Sequence, residues 1–156
     1  MPDLKLRASV SYLEDAIASL IASGEAEDAT DQSSLNHHFT PIIEDYGARL
    51  YARECSVPQG MTFTGKLHRH PHIVSLIKGK MAIVSEDGRK VVSAPHTWAA
   101  PASSKRAFHA LEDSVLLNVH ITKIEDEEDL DTLEEEVIAP SYSSIGLEEP
   151  NYKLLE

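Results

Sequence analysis

The stretch Gly60-Met-Thr-Phe-Thr-Gly-Lys66-Leu-His68-Arg-His70-Pro-His72-Ile-Val-Ser-Leu-Ile-Lys-Gly79 carries three histidines alternating over five residues, between two glycines. In an extended chain, side chains two apart share a face, so His68, His70 and His72 stand on one side of the strand they form. Pro71 weakens a continuous strand there, because it removes a ladder donor. Imidazole is the commonest protein ligand for zinc, nickel, copper and iron, and three donors suffice to hold an ion. The competing reading is that these histidines line a wet groove and bind nothing.

Outward from this stretch, hydrophobic residues keep a period of two from about Ala48. Residues 50–57, 61–68, 73–76, 80–85, 90–93, 97–99, 107–111 and 115–121 read as short strands, with Asp87-Gly88 as a hairpin turn. Short strands at this spacing suit a sandwich or a barrel, and the pattern alone does not choose between them. Before them, Val10, Leu13, Ile17, Leu20 and Ile21 recur at helical steps over residues 9–23. Ser9 or Ser11 is placed to cap that helix and Gly24 to end it. Residues 25–36 are polar and read as a link. After the strands, residues 124–138 form a short acidic helix with Leu130, Leu133 and Val137 on one side, ended by Pro140. Residues 141–156, with Tyr142, Ile145, Tyr152, Leu154 and Leu155, read as an extended arm. It is either a solvated tail or a segment docked on its own barrel or a neighbouring subunit.

A chain of 156 residues with 42% hydrophobic and 26% charged content has the make-up of a single globular domain. No apolar run reaches membrane-spanning length, and residues 1–7 lack the apolar core of a secretory leader, so a cytoplasmic setting and no membrane partner are expected. Cys55 has no second cysteine to pair with and reads as a small hydrophobe in a strand. The net charge of −12 is uneven. Residues 123–156 hold twelve acids and two lysines, or −10; residues 58–110 hold two acids and eight lysines or arginines, or +6. So acidic a chain excludes nucleic acid as the default partner. The basic middle points to a local anion site or to contacts between subunits.

The Gly60–Gly79 stretch resembles the first motif of the cupin family: Gly, five residues, His-x-His, three or four residues, Glu, six residues, Gly. Gly60 and Gly79 match its ends, with Lys66 and His68 on the two histidine positions and His72 on the glutamate. Residues 95–110 resemble the second motif: Pro101 takes its proline, Ser103 its glycine and Arg106 its histidine. Pro95 stands for the opening glycine and Ala110 for the asparagine. The resemblance covers residues 48–122. It implies a mainly β fold, the small double-stranded β-helix or cupin jelly-roll barrel, with the N-terminal helix and link at 1–47 and the acidic helix and arm at 123–156.

Carried over position by position, the family's ligand set becomes Lys66, His68, His72 and Arg106. Lysine and arginine are cations without a free lone pair, so this set suits an anion better than a metal; Arg106 offers a fork to carboxylate or phosphate. The metal alternative is one divalent transition ion (Zn, Fe, Ni or Mn) on His68 and His72, completed by His70, His109 or His120. Elsewhere His37-His38 reads as a surface pair, His96 flanks Trp98, and Glu44 and Glu54 are the nearest candidate bases. The order of parts is also similar to small cupin-like proteins of tailed bacteriophages, which implies a virion or assembly component with other virion proteins as partners. The first expectation is therefore a non-catalytic binding or structural cupin. The alternative is a metal-dependent cupin enzyme of the lyase, isomerase or dioxygenase class. The helix and arm carry apolar residues that a closed barrel does not bury, so a homo-oligomer is expected.

Overall fold

Asp3 starts the first helix, α1 (Leu4–Ser23), by accepting hydrogen bonds at Oδ1 from the backbone N–H groups of Lys5 (2.9 Å) and Leu6 (3.1 Å). The structure, a computed structural model, describes residues 2–156. The helix thus begins earlier than Ser9 or Ser11 would have it, since a carboxylate both caps the orphan donors and faces the positive end of the helix. Gly24 ends it in the left-handed conformation, as its position suggests. Arg7, Ala8, Val10 and Ser11 are buried, Leu13, Ile17 and Ile21 are half-buried and Leu20 is exposed, so the apolar stripe of α1 is covered most fully at its start.

Nine strands follow: β1 (Ser34–Phe39), β2 (Arg49–Val57), β3 (Thr62–Thr64), β4 (His72–Lys78), β5 (Lys80–Ser85), β6 (Gly88–Ser93), β7 (His96–Ala100), β8 (Ala107–Ala110) and β9 (Ser114–Thr122). They pair antiparallel in two sheets, ordered β1-β2-β9-β4-β7 and β3-β8-β5-β6. Without β1, these are the two interleaved four-stranded sheets of a jelly roll. The fold is therefore the mainly β double-sheet barrel expected, and Val57, Val74, Leu76, Met81, Ile83 and Leu116 form its core between the sheets.

Three local readings need correction. The polar link contains β1, which adds to the edge of β2 from Ser34↔Ser56 to Phe39↔Tyr51; as an edge strand it keeps polar residues on its outer side and so reads as loop. The strand expected at 61–68 stops at Thr64, and residues 65–71 cross the barrel mouth as irregular chain. The β5–β6 turn is built by Glu86 and Asp87, since Gly88 already pairs with Ser85. Gly79, by contrast, earns its place in the motif on steric grounds. Its φ is +88°, and a Cβ there would collide with Ser114 Oγ and the Asp113 carbonyl, so the β4–β5 turn requires glycine.

At the other end of the chain the acidic helix is shorter than expected: α2 (Leu130–Val137), capped by Asp129. The consecutive acids at 125–129 repel one another, which disfavours helix before that cap. Leu133 and Val137 bury against Tyr51 and Ile124, so α2 closes one end of the barrel. The arm beyond it docks on its own chain through two 3₁₀ turns, Ser143–Ile145 and Tyr152–Leu155, instead of running extended. Tyr142 is buried with the Arg7 guanidinium 4.9 Å from its ring, and Tyr152 meets Tyr12 edge-on at 5.7 Å and hydrogen-bonds Asp15. Among the described residues no helix is long and apolar enough to cross a membrane.

Candidate metal centre and binding cavity

Strand register arranges the inner face of the larger sheet in rows. Tyr51 lies opposite His120, Arg53 opposite Asn118 and Cys55 opposite Leu116. On the other side of β9, Val74 lies opposite Asn118 and Leu76 opposite Leu116. His72 stands two residues before Val74, which brings it level with His120 on the same face.

His68 arrives from the irregular segment, which is pinned on both sides. Gly65 N–H donates to Arg106 O (2.8 Å), His68 N–H to Ser104 O (3.2 Å) and Ser103 N–H to His68 O (2.9 Å). Ser103 makes this turn with φ +62°, the left-handed conformation that its glycine-position alignment calls for. On the opposite side His68 bridges to Ile138, with Arg69 N–H donating to Val137 O and Ala139 N–H to Leu67 O. The Arg69 side chain also donates to the carbonyls of Glu135 and Ile138 at the end of α2 (both 3.0 Å). The C-terminal segment therefore helps hold His68 in place.

The result is a cluster of His68, His72 and His120 whose ligand nitrogens lie within 4.8 Å of one another. Ring centroids are 4.2 Å apart for His68–His72, 4.6 Å for His72–His120 and 5.2 Å for His68–His120. Burial pushes the pKa of His68 down to about 3, helped by His72 and His120. Burial likewise takes His120 to about 3 and His72 to about 4, with the His70 carbonyl partly opposing it at His72. All three rings are thus neutral at pH 7, with lone pairs to offer. Three neutral imidazoles and no carboxylate suit zinc, iron or nickel better than manganese, which favours oxygen ligands. The donor set fits a divalent transition ion.

The cluster sits at one end of a cavity of about 180 Å³. Two arginines reach it. Burial works to lower the pKa of Arg53, but the Tyr51 hydroxyl, 2.9 Å from Nε, and Glu134, 3.2 Å from an amino group, outweigh it and raise it. Arg106 is buried, which lowers its pKa against the pull of Asp87 and Glu86; it donates to Ser104 Oγ at 3.2 Å. Lys66 stands at the rim, mostly exposed, with its ammonium ion-paired to Glu134. Cys55 lines the cavity away from the histidines, and burial pushes its thiol pKa up.

All four residues of the carried-over set, Lys66, His68, His72 and Arg106, line this one cavity. Of the five candidate metal ligands, His68, His72 and His120 come together. His70 is exposed outside the cluster, because Pro71 breaks the strand parity that linked it to His72. His109 pairs with Thr62 Oγ1 at 2.6 Å on the other sheet. His37 and His38 do not form a surface pair: His38 is exposed, but His37 is half-buried and faces inward from β1, with Nδ1 2.6 Å from the Tyr51 hydroxyl. Glu54 pairs with His38 at 3.4 Å, both partly exposed, and Glu44 is exposed, so neither reaches the cavity. Arg53 and Asn118 were missed in the sequence. The available signal was parity, since each is a polar residue in step with the buried positions of its strand.

No family model matches the chain, and no curated protein does. Among solved structures, KdgF from Halomonas sp. is similar over 65% of this chain and 88% of its own, at 19% identity and a TM-score of 0.49. A cupin 2 domain-containing protein from Halorhodospira halophila is similar over 71% and 81%, at 14% identity and a TM-score of 0.43. The Clostridium difficile EutQ protein is similar over 62% and 68%, at 15% identity and a TM-score of 0.43. The jelly roll here is defined by its own strand order rather than by these likenesses. None of these three is a phage protein, and the virion expectation rests on the sequence resemblance alone.

Proposed function

We propose that the protein is a metal-dependent, cupin-type enzyme acting on a small molecule, with His68, His72 and His120 as ligands to one divalent transition ion. The observation that carries this is the convergence of three neutral imidazoles at the end of a cavity. The rings turn toward one another, with His72 Nδ1 also 3.4 Å from the His70 carbonyl, so imidazole nitrogens converge on one point of the cavity. Three protein ligands leave coordination positions open, as catalytic rather than structural metal sites do. A divalent ion there supplies Lewis-acid polarisation of a substrate oxygen. Arg53 and Arg106 hold negative charge beside it, and the C-terminal segment keeps His68 aligned. The deciding experiment is elemental analysis of protein purified without a histidine tag, followed by zinc titration after chelation. One ion per chain is expected. A wild-type protein that takes up no ion at micromolar zinc removes the reading.

The same chain is read as a homo-oligomer, with a second copy seated on the outer face of the larger sheet. Supporting this, Leu50 pairs with Ile121, and Ala52, Val119, Ile73 and Ala99 form one row across four strands, all facing out. Such an uncharged apolar patch is complementary to itself, which is what a two-fold contact needs.

A further inference from the structure

The cavity floor changes character along its length, in register. At the level of His72 and His120 it is imidazole; one row on, Arg53 lies opposite Asn118; one row further, Cys55 lies opposite Leu116, with Leu35 opposite Cys55 on β1. The facing sheet adds Phe63 and Phe108, stacked at 5.0 Å. One end therefore offers metal ligands and the guanidiniums of Arg53 and Arg106, and the other offers aliphatic and aromatic surface. No carboxylate lines the cavity among the described residues. We infer that the ligand is a compact amphiphilic monoanion, with a carboxylate at the His68–Arg53 end and a hydrocarbon or aromatic body against Phe63, Phe108 and Leu35.

Charge, size and shape each narrow the class. Arg53 enters the cavity already oriented by Tyr51 and Glu134, so a carboxylate meets a fork held in place. A volume of about 180 Å³ is below the roughly 300–1,000 Å³ of pockets for drug-sized ligands. That favours a single small ring or short chain as the part of the ligand held inside. A sugar acid, polar all round, would leave hydroxyls unpaired against Phe108 and Leu116, which costs affinity. The head assignment rests on the proposed metal reading, but the division between ends belongs to protein side chains alone.

Calorimetric titration of the full chain with acetate, benzoate and benzyl alcohol, with and without saturating zinc, tests this. Benzoate is expected to bind at least about ten-fold more tightly than either of the others, since each lacks one of its two ends. Arg53→Gln should erase the advantage over benzyl alcohol. Leu35→Asp, at a half-exposed edge position that tolerates change, should erase the advantage over acetate. Equal affinities for the three probes, or no binding of benzoate in either state, overturn the inference. Zinc uptake is read separately in the same samples. Failure to bind zinc, with the benzoate preference intact, removes the metal and leaves the ligand class standing.

Discussion

At the His120 end of the five-stranded sheet the two faces invert the usual rule, whereas further along Val57, Val74, Leu76 and Leu116 face inward as packing demands. At the His120 end the inner face carries Tyr51, Arg53, His72, Asn118 and His120, and the outer face carries Leu50, Ile73, Val119 and Ile121. Outward-facing Leu50 and Ile121 are 45% and 55% exposed, while inward-facing His72 and His120 are each 6% exposed. Adjacent residues of one strand make the contrast sharpest: Leu50 beside Tyr51, and Ile121 beside His120. Packing alone favours the reverse assignment, because buried polar groups cost energy and exposed apolar ones gain nothing. A local conflict of this kind marks a place to test for function; on the proposed reading an ion and a small anion occupy the inner face and a second copy the outer.

The largest effect should come from the inner face. His120→Ala or His72→Ala removes one of three ligands and is expected to lower zinc affinity by about 100-fold or more, beyond what loss of a supporting hydrogen bond costs. His70→Ala and His109→Ala, which lie outside the cluster, should leave it within about two-fold. Zinc titration on chelated protein reads both. Equal losses at His70 and His120 would mean that the parity argument has chosen the wrong ligands.

The outer face is tested by one charge. Ile121→Lys places an ammonium in the middle of the apolar patch, where a two-fold contact brings it against its own copy. Light scattering should then fall from twice the chain mass to the 17.2 kDa of a single chain, with zinc binding unchanged. A wild-type protein that already runs as a monomer at micromolar concentration leaves the outer face exposed for some other reason and breaks the comparison.

Acid separates the faces again, because the buried histidines all lie on the inner one. His68, His72 and His120 have folded pKa values of about 3 to 4 against about 6.5 unfolded. Between those values the unfolded chain binds more protons, so stability is full above about pH 6.5 and falls as the pH is lowered toward 4. Each histidine contributes a slope approaching about 1.4 kcal/mol per pH unit in metal-free protein. Thermal melts of chelated protein should show this, and His120→Asn should flatten the dependence by about one proton. The same dependence in wild type and His120→Asn would show that carboxylates elsewhere carry it.

Much of this sheet was legible beforehand, for reasons that can be named. Alternation and the Gly60–Gly79 spacing predicted β4, β5 and the turn at Gly79, since a positive φ and a blocked Cβ leave a trace in sequence. His68 and His72 followed from the same stretch. Strand β1 did not, because an edge strand is specified by its partner's free hydrogen bonds rather than its own pattern. Arg53 reads as an ordinary surface cation until the Tyr51 hydroxyl and Glu134, the latter 81 residues on, bring its guanidinium inward. The place of His120 in the cluster depends on the pairing of β9 with β4, a long-range fact that no local spacing encodes.

The smallest expected effect concerns a single hydroxyl at the boundary between the faces. Tyr51 accepts from Arg53 Nε–H at 2.9 Å and lies 2.6 Å from His37 Nδ1; with the hydroxyl proton turned to that nitrogen, His37 is expected as the tautomer protonated at Nε2. Tyr51→Phe keeps the ring that packs on Leu133 and Val137 but leaves the guanidinium N–H and the imidazole nitrogen without that partner. A loss of about 1–2 kcal/mol in unfolding free energy is expected, together with weaker benzoate binding and unchanged zinc affinity. Leu50→Ala next door should cost the isolated chain about 0.5 kcal/mol or less, because its side chain already meets water. Nitrogen NMR of the His37 ring supplies the readout that simple loss of packing would not move: Tyr51→Phe should turn one dominant tautomer into a mixture. If the mixture is already present in wild type, the hydroxyl does not orient Arg53 through this chain, and the inner row is held by Glu134 alone.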